Sequence, residues 1–207
     1  MDVNLPHIDL FFKDLQNKDY SGETLYNYER DLLTFWKFIQ SRNVSFEGVD
    51  KSTIALYQEY LGSISRRTAK DARSDQQYSI GSINRTLSSL RRYLKYLVEM
   101  DQATLVSPEA VRLLKMPRSH HRVAELDALI SLVESPTQFE KIKELKLRNR
   151  AMLETLFATG MRISELVSLN RNQIDKTGRI FIRGKGKKER FVYLTDRAHA
   201  HIKSYLA

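Results

Sequence analysis

Two stretches of the chain carry residue types that bind and transform phosphate groups. The first, residues 158–169, reads Ala-Thr-Gly-Met-Arg-Ile-Ser-Glu-Leu-Val-Ser-Leu and places Arg162 two residues after Gly160. Apolar residues at helical spacing surround the arginine, which predicts a short helix packed on a core with Arg162 in its first turn. An arginine whose stem is held in this way presents a planar fork of donors suited to bidentate recognition of a phosphate.

The second stretch is a basic turn about twenty residues downstream. Residues 179–183 and 189–194 are rich in β-branched and aromatic side chains, and Gly-Lys-Gly-Lys-Lys lies between them at 184–188. Two such runs around a turn with glycines predict a β-hairpin with Lys185 near its tip, where a lysine can enter a DNA groove. A hairpin whose charges only maintain solubility is the alternative, and this stretch alone does not decide between the two.

Taken together, the two stretches closely resemble motifs of the tyrosine recombinases of the phage-integrase and Xer type. The resemblance implies that Arg162 is the first catalytic arginine and Lys185 the catalytic lysine. It further implies site-specific DNA recombination or integration, in which a tyrosine attacks a DNA phosphodiester, forms a 3′-phosphotyrosyl link and releases a 5′-hydroxyl. A second strand's hydroxyl reverses that step, and the family uses no metal and no small-molecule cofactor.

The same resemblance implies a role for each of the two side chains. Arg162 would stabilise the non-bridging phosphate oxygens as charge builds on them, and its loss would cost on the order of 3 kcal/mol or more. Lys185 would donate a proton to the leaving oxygen. Glu165 lies about one helical turn after Arg162. It either orients the guanidinium through a salt bridge or merely caps the helix, and both interpretations stay open.

The later motifs of the family, a His-x-x-Arg and a nucleophilic tyrosine near the C-terminus, have no match in these 207 residues. We interpret Tyr193 and Tyr205 as packing residues. We therefore expect a chain truncated before the C-terminal catalytic motifs, which binds DNA but does not cleave it alone. The alternatives are a DNA-binding module or regulator without recombinase activity, and a helical protein-interaction domain whose charge is incidental.

Composition supports a polyanionic partner and excludes several other classes. The chain has 34 Lys and Arg against 25 Asp and Glu, a formal net charge of +9, which favours double-stranded DNA. No cysteine is present, which excludes disulfides and cysteine-containing zinc sites. No run approaches the roughly 20 apolar residues of a membrane span, and the N-terminus does not resemble a signal peptide. We expect a cytoplasmic protein, and the resemblance implies homo- or hetero-tetramers of the full-length form on paired sites.

Four segments in the first half have apolar residues at helical spacing, which predicts helices over about 6–16, 22–41, 51–64 and 79–100. The resemblance places the second and fourth helices against DNA. The predicted DNA-binding residues are small polar and basic side chains of these helices and of the hairpin: Ser21, Thr24, Tyr28, Arg85, Ser88, Arg91, Arg92, Lys95, Lys187 and Lys188. A charged face that is only solvated is the alternative.

These elements predict a mainly α fold with a small antiparallel sheet. Residues 1–116 would form a helical core-binding, SAM-like DNA-binding domain, 117–122 a basic linker, and 123–207 the N-terminal part of an α+β catalytic domain. In the second domain we expect helices over 126–134 and 146–159, a first strand over 172–175 that makes the sheet three-stranded, and a last helix from Thr195. A short helix over 108–114 would close the first domain. The basic loop 65–77 and the linker arginines Arg118 and Arg122 are further candidates for phosphate contact.

Overall fold

The computed structural model describes residues 3–64, 77–102, 106–117, 123–184 and 188–207. The chain divides into two compact units, Met1–Ser119 and His120–Ala207. The described residues form α-helices and one two-stranded antiparallel sheet, so the expected mainly α fold with a small sheet is confirmed. None of the helices in these ranges combines the length and apolar content that a membrane crossing requires.

The first unit is built from four helices, α1 (Ile8–Asn17), α2 (Gly22–Ser41), α3 (Lys51–Ser63) and α4 (Ile80–Glu99). Three of them begin where the sequence predicts, because a polar side chain before the first turn accepts a backbone hydrogen bond. Ser21 accepts from Thr24, Asp50 from Thr53 at 2.7 Å, and Ser79 from Ser82. The predicted closing helix is shorter than expected, a single 3₁₀ turn over Pro108–Ala110.

The core of the first unit consists of the apolar stripes that the periodicity predicts. Phe11 of α1, Phe35 of α2, Tyr57 of α3 and Leu87 of α4 are all fully buried. The aromatic rings meet edge to face, as in the Phe35–Tyr57 pair, whose centroids lie 5.0 Å apart. Trp36 packs against this core but is only partly buried.

The second unit contains α5 (Leu126–Phe139), α6 (Lys143–Thr159), α7 (Ile163–Val167), β1 (Arg179–Arg183), β2 (Glu189–Tyr193) and α8 (Asp196–Leu206). Helix α6 ends at Gly160, whose φ of 60° is the left-handed conformation that glycine adopts freely. Buried Glu154 on α6 accepts hydrogen bonds from Arg150 on the same helix and from Arg197 on α8. This carboxylate therefore ties α8 to α6.

Helix α5 is longer than predicted and runs through Pro136 instead of ending at Glu134. Proline has no N–H and leaves the carbonyl four residues earlier, that of Leu132, without its helical partner. The Ser135 hydroxyl donates to that carbonyl at 2.7 Å, which compensates for the missing bond. Helix α6 is also longer than predicted, because it begins at Lys143 instead of at residue 146.

The predicted three-stranded sheet is wrong, because the described residues form only two strands. A 3₁₀ turn occupies Arg171–Gln173, and Ile174 makes a single isolated bridge to Ile180. The turn uses the residues that a third strand would need. Strands β1 and β2 pair in antiparallel register, with Ile182 opposite Arg190 and Phe181 opposite Phe191.

The interpretation of Tyr193 and Tyr205 as packing residues is also wrong. Both side chains are exposed. Tyr193 follows the inward-facing Val192 on β2, and the alternation of a strand turns it to the outer face. Tyr205 lies in the last turn of α8, beyond the buried Ala198. By contrast, Tyr93 and Tyr96 on α4 are buried in the core of the first unit.

Candidate active site

The candidate site is built around Arg162, which lies at the junction between α6 and α7. Arg162 is the N-cap residue of α7, with an extended backbone, and not a residue of the first turn as the sequence suggested. The preceding Met161 is buried and packs with Ile180, Ile182 and Val192 of the hairpin. The Arg162 side chain itself is 58% exposed. The backbone is thus anchored in a small core while the guanidinium reaches solvent.

Glu165, one turn further along, fixes this arginine by two kinds of contact. Its Oε2 accepts a hydrogen bond of 2.8 Å from the Arg162 backbone N–H, and its Oε1 accepts one of 3.0 Å from the Arg162 Nη1. The carboxylate therefore caps the first turn of α7 and pairs with the guanidinium at once. Both interpretations that the sequence left open apply to the same side chain.

A second arginine, Arg190 on β2, binds the same carboxylate. Its Nη2 donates to Glu165 Oε2 at 2.8 Å and its Nη1 to Oε1 at 3.2 Å, a bidentate arrangement. Sequence reasoning missed this residue. Arg190 lies two residues before Val192 on the inward face of β2 and opposite the buried Ile182. An arginine in register with apolar residues on a packed strand face favours a carboxylate partner, and that signal could have identified Arg190.

The hydrogen bonds from Arg190 are the largest cause of a pKa for Glu165 that is lowered to about 2. The backbone N–H of Arg162 lowers it further, whereas desolvation works in the opposite direction. The carboxylate is therefore ionised at neutral pH, and the three side chains carry a net charge of +1. Among the described residues, nothing hydrogen-bonds to Nε or Nη2 of Arg162, which leaves these donors available for an anion.

Gly184, at the end of β1, brings the start of the hairpin turn against this cluster. A Cβ on this residue would lie 2.9 Å from Arg190 Nη1, 2.9 Å from Glu165 Oε1 and 3.3 Å from Arg162 Nη1. No other residue type leaves space for all three groups in their present positions. Its N–H donates to the carbonyl of Lys188 at 2.7 Å across the turn.

The lysines of the hairpin turn are covered only in part. Lys185 and Lys187 lie outside the described residues, so their predicted roles are not tested. Gly184, the covalent neighbour of residue 185, contacts the Arg162 cluster as described above. Lys188 is exposed.

The predicted DNA-binding residues of α2 lie at its exposed beginning. Ser21 and Thr24 share a hydrogen bond of 2.8 Å between their hydroxyls as part of the helix cap. Tyr28 is partly buried, and its ring meets Phe11 edge to face at 5.8 Å. Burial is the main reason that the pKa of Tyr28 is raised.

On α4, the predicted basic face is partly neutralised by carboxylates of the same unit. Arg85 pairs with buried Asp31 at 2.5 Å, and Arg92 contacts Asp14 at 3.3 Å. Glu99 lies 3.4 Å from Arg92 and 4.0 Å from Lys95. The Ser88 hydroxyl donates a hydrogen bond to the Asn84 carbonyl. The guanidinium of Arg91 has no hydrogen bond or ion pair with a described residue.

The loop 65–76 and the linker residues 118–122, with Arg118 and Arg122, lie outside the described residues.

What the second-unit site can do chemically follows from its donors. An exposed guanidinium fixed by a carboxylate, next to Gly184, can bind a phosphate with directed hydrogen bonds. In the described ranges, no three or more His, Cys, Asp or Glu side chains gather in a way that could hold a metal ion.

Comparison with known proteins gives family matches in both units of the chain. Residues 122–207 match the family model described as the phage integrase family, and residues 8–100 match the phage integrase N-terminal SAM-like domain. Tyrosine recombinase XerD of Shewanella oneidensis is 34% identical over 97% of this chain and 63% of its own length. Tyrosine recombinase XerC of Lacticaseibacillus casei is 31% identical over 91% of this chain and 59% of its own length. The chain thus spans about three fifths of these relatives.

Solved structures agree on the fold. One match is a XerH site-specific recombinase bound to a palindromic difH substrate in a post-cleavage complex. It covers 96% of this chain and 56% of its own length, with a TM-score of 0.63 and 18% sequence identity. A lambda integrase dimer bound to a COC′ core site matches 95% of this chain and 66% of its own, with a TM-score of 0.65 and 18% identity. At these identities the likeness concerns the fold alone.

Proposed function

This chain belongs to the phage integrase family of tyrosine recombinases, and from that premise we propose that it acts in site-specific DNA recombination. The reaction would cleave and rejoin DNA strands through a phosphotyrosine intermediate in the full-length protein, as the family chemistry implies. Arg162 binds the non-bridging oxygens of the scissile phosphate, and Lys185 protonates the leaving 5′-oxygen.

The observation that carries the proposal is the placement of Arg162. Its guanidinium is exposed and held by Glu165 at 3.0 Å, and no described residue hydrogen-bonds to its Nε or Nη2. Gly184, at the beginning of the turn that contains Lys185, lies in contact with the same cluster. This position of Gly184, the covalent neighbour of Lys185, supports the proposal that both predicted catalytic residues act on one scissile phosphate.

The proposed partner is double-stranded DNA, and the proposed assembly is a tetramer on paired sites. The net charge of +9 supports a polyanionic ligand. In the first unit, α2 and α4 provide the contacts, through Ser21, Thr24, Tyr28, Arg85, Ser88, Arg91, Arg92 and Lys95, with Lys187 and Lys188 adding phosphate contacts from the hairpin. A cytoplasmic location, where chromosomal DNA is accessible, is part of the same proposal.

Binding to DNA duplexes tests the proposal directly. The protein is titrated into a fluorescein-labelled random-sequence duplex of about 30 base pairs at several salt concentrations, and bound duplexes are then selected from a pool. We expect log K to fall linearly with log salt, since each neutralised phosphate contributes a slope of about −0.9, and we expect selection to enrich one sequence. Affinity that does not respond to salt, or selection that enriches no sequence, would contradict the proposal.

A further inference from the structure

The relation between Arg190 and Arg162 runs through a single carboxylate. Each carboxylate oxygen of Glu165 accepts one hydrogen bond from Arg162 and one from Arg190. Oε1 accepts from Nη1 of both arginines, and Oε2 accepts from the Arg162 backbone N–H and from Nη2 of Arg190. Its side chain is almost completely buried, at 7% exposure, whereas Arg162 extends into solvent. The carboxylate is therefore the fixed part of the cluster, and the arginines are held by it.

Arg190 supplies the constraint that Arg162 cannot supply alone. Of the two hydrogen bonds that Arg162 gives to Glu165, one comes from its backbone and only one from its guanidinium. A bidentate fork from Arg190 adds a second hydrogen bond to each carboxylate oxygen and aligns the carboxylate with the plane of the Arg190 guanidinium. Arg190 is itself held by β2, whose neighbouring inward residue Val192 is buried.

We infer that Arg190 is a positioning residue: it locks the Glu165 carboxylate, and through it the Arg162 guanidinium, in the orientation that receives a phosphate. This inference rests on the proposed function, because the phosphate is the ligand that Arg162 is proposed to bind. It also explains why residue 184 is a glycine, since a side chain there would displace the ends of the Arg190, Glu165 and Arg162 side chains. The same contacts join α7 to the hairpin, so a displaced Arg190 would loosen Arg162 from β2 and from Gly184.

The first test requires no DNA. Protein with ¹³C-labelled glutamate carboxyls is titrated by NMR, and the Glu165 signal is assigned from its loss in Glu165→Gln. We expect Glu165 of the wild type to remain ionised to about pH 2, and to titrate at higher pH in Arg190→Gln. Arg190→Lys, which keeps the charge but loses the fork, should give an intermediate shift. An unchanged Glu165 titration in Arg190→Gln would overturn the inference.

Arg179→Gln is the matched control. It removes another hairpin arginine that pairs with a carboxylate, Asp175 at 3.1 Å, but one on the outward face of β1. Glu165 should titrate in this variant as in the wild type. A Glu165 shift as large in Arg179→Gln as in Arg190→Gln would indicate a general loss of hairpin structure and would also overturn the inference.

The second test asks whether Arg190 acts through Arg162. Affinity for the labelled duplex is measured for Arg162→Ala, Arg190→Gln and the double variant, and we expect the double variant to bind no more than about twofold more weakly than Arg162→Ala alone. Gly184→Ala should weaken binding as Arg190→Gln does. Because the Cβ contacts are with flexible side-chain ends, its thermal midpoint should stay close to that of the wild type. Additive losses would show that Arg190 acts independently and would refute the positioning role.

The two proposals can fail separately. If the wild type does not bind duplex DNA, the proposed function is wrong, whereas the Glu165 titration still decides whether Arg190 holds the carboxylate. If binding occurs and Glu165 is insensitive to Arg190, the positioning role is wrong and the function stands.

Discussion

Arg190 on β2 and Glu165 on α7, 25 residues apart in sequence, are joined by a bidentate ion pair with N–O distances of 2.8 and 3.2 Å. The same carboxylate binds Arg162. A strand of the hairpin and the arginine motif are therefore connected by direct hydrogen bonds. This connection determines which substitutions in the second unit should alter phosphate binding.

Replacement of Arg162 should alter both the strength and the salt dependence of DNA binding. Arg162→Ala removes one phosphate contact, so the slope of log K against log salt should decrease in magnitude by about one. Arg162→Lys keeps the charge but loses the planar fork, so its slope should stay near that of the wild type while the affinity falls. Both are measured by fluorescence anisotropy across a salt series.

Arg148→Ala is the control for Arg162, because it removes an exposed positive charge of the same unit whose guanidinium contacts only Asn149 among the described residues. If Arg148→Ala and Arg162→Ala lower the slope and the affinity equally, general electrostatics would account for binding, and a specific role for Arg162 would be refuted.

Glu165→Gln should remove a pH-dependent part of the stability of the second unit. The pKa of Glu165 in the folded protein is about 2, against an ordinary value of 4.5. A lowered pKa stabilises the fold above about pH 4.5, and this contribution is lost as the pH falls toward 2. The difference in free energy of unfolding between wild type and Glu165→Gln should therefore be largest at neutral pH and shrink between about pH 4.5 and 2.

Urea unfolding at a series of pH values measures this difference. Asp50 and Asp175, whose pKa values are also lowered to about 2 by local hydrogen bonds, remain in both proteins, so their contributions cancel. A difference that stays constant from pH 7 to pH 2 would show that Glu165 is not the group whose ionisation stabilises the fold.

Arg85 and Arg91 on α4 should respond differently to the same substitution. Asp31 is buried and accepts hydrogen bonds from Arg85 at 2.5 Å and from Ser89 at 2.8 Å. Arg85→Gln should therefore lower the free energy of unfolding by about 1–2 kcal/mol, a value reduced from that of a buried pair because Arg85 is 40% exposed. Arg91→Gln should leave stability within about 0.5 kcal/mol and flatten the salt slope of DNA binding.

Thermal unfolding and anisotropy on the two variants test this contrast. Equal stability of Arg85→Gln and wild type would show that the Asp31 pair contributes nothing to the fold. An unchanged salt slope in Arg91→Gln would remove that residue from the proposed DNA-binding face.

Two buried tyrosines of the first unit should have opposite effects when their hydroxyls are removed. The Tyr57 hydroxyl is buried and has no hydrogen-bond partner among the described residues, whereas the Tyr93 hydroxyl donates to the Pro6 carbonyl at 2.5 Å. Tyr57→Phe should leave stability unchanged or raise it by up to about 1 kcal/mol, and Tyr93→Phe should lower it by about 1 kcal/mol. Chemical denaturation measures both, and destabilisation by Tyr57→Phe would contradict the expectation.

The sequence by itself determined where three helices of the first unit begin, where α6 ends, and the arginine motif. Ser21, Asp50 and Ser79 begin their helices through contacts with residues only three positions away, and Gly160 ends α6 through its own backbone conformation. Such interactions are local, so a single sequence contains them. The apolar periodicity of α2 and α4 likewise identified the buried faces, and the family resemblance rested on contiguous residues.

The tertiary structure decided which charges meet. Arg85 and Asp31 are 54 residues apart, and Arg190 and Glu165 are 25 apart, so no local pattern pairs them. It also decided that Arg162 precedes α7 instead of lying within it, and that Ile174 makes a single bridge instead of a strand. An ion pair forms where packing brings two side chains together, and packing depends on the whole core. The sequence therefore identified Arg162 as the phosphate-binding candidate and Glu165 as its possible partner, whereas only the fold showed that Arg190 binds the same carboxylate.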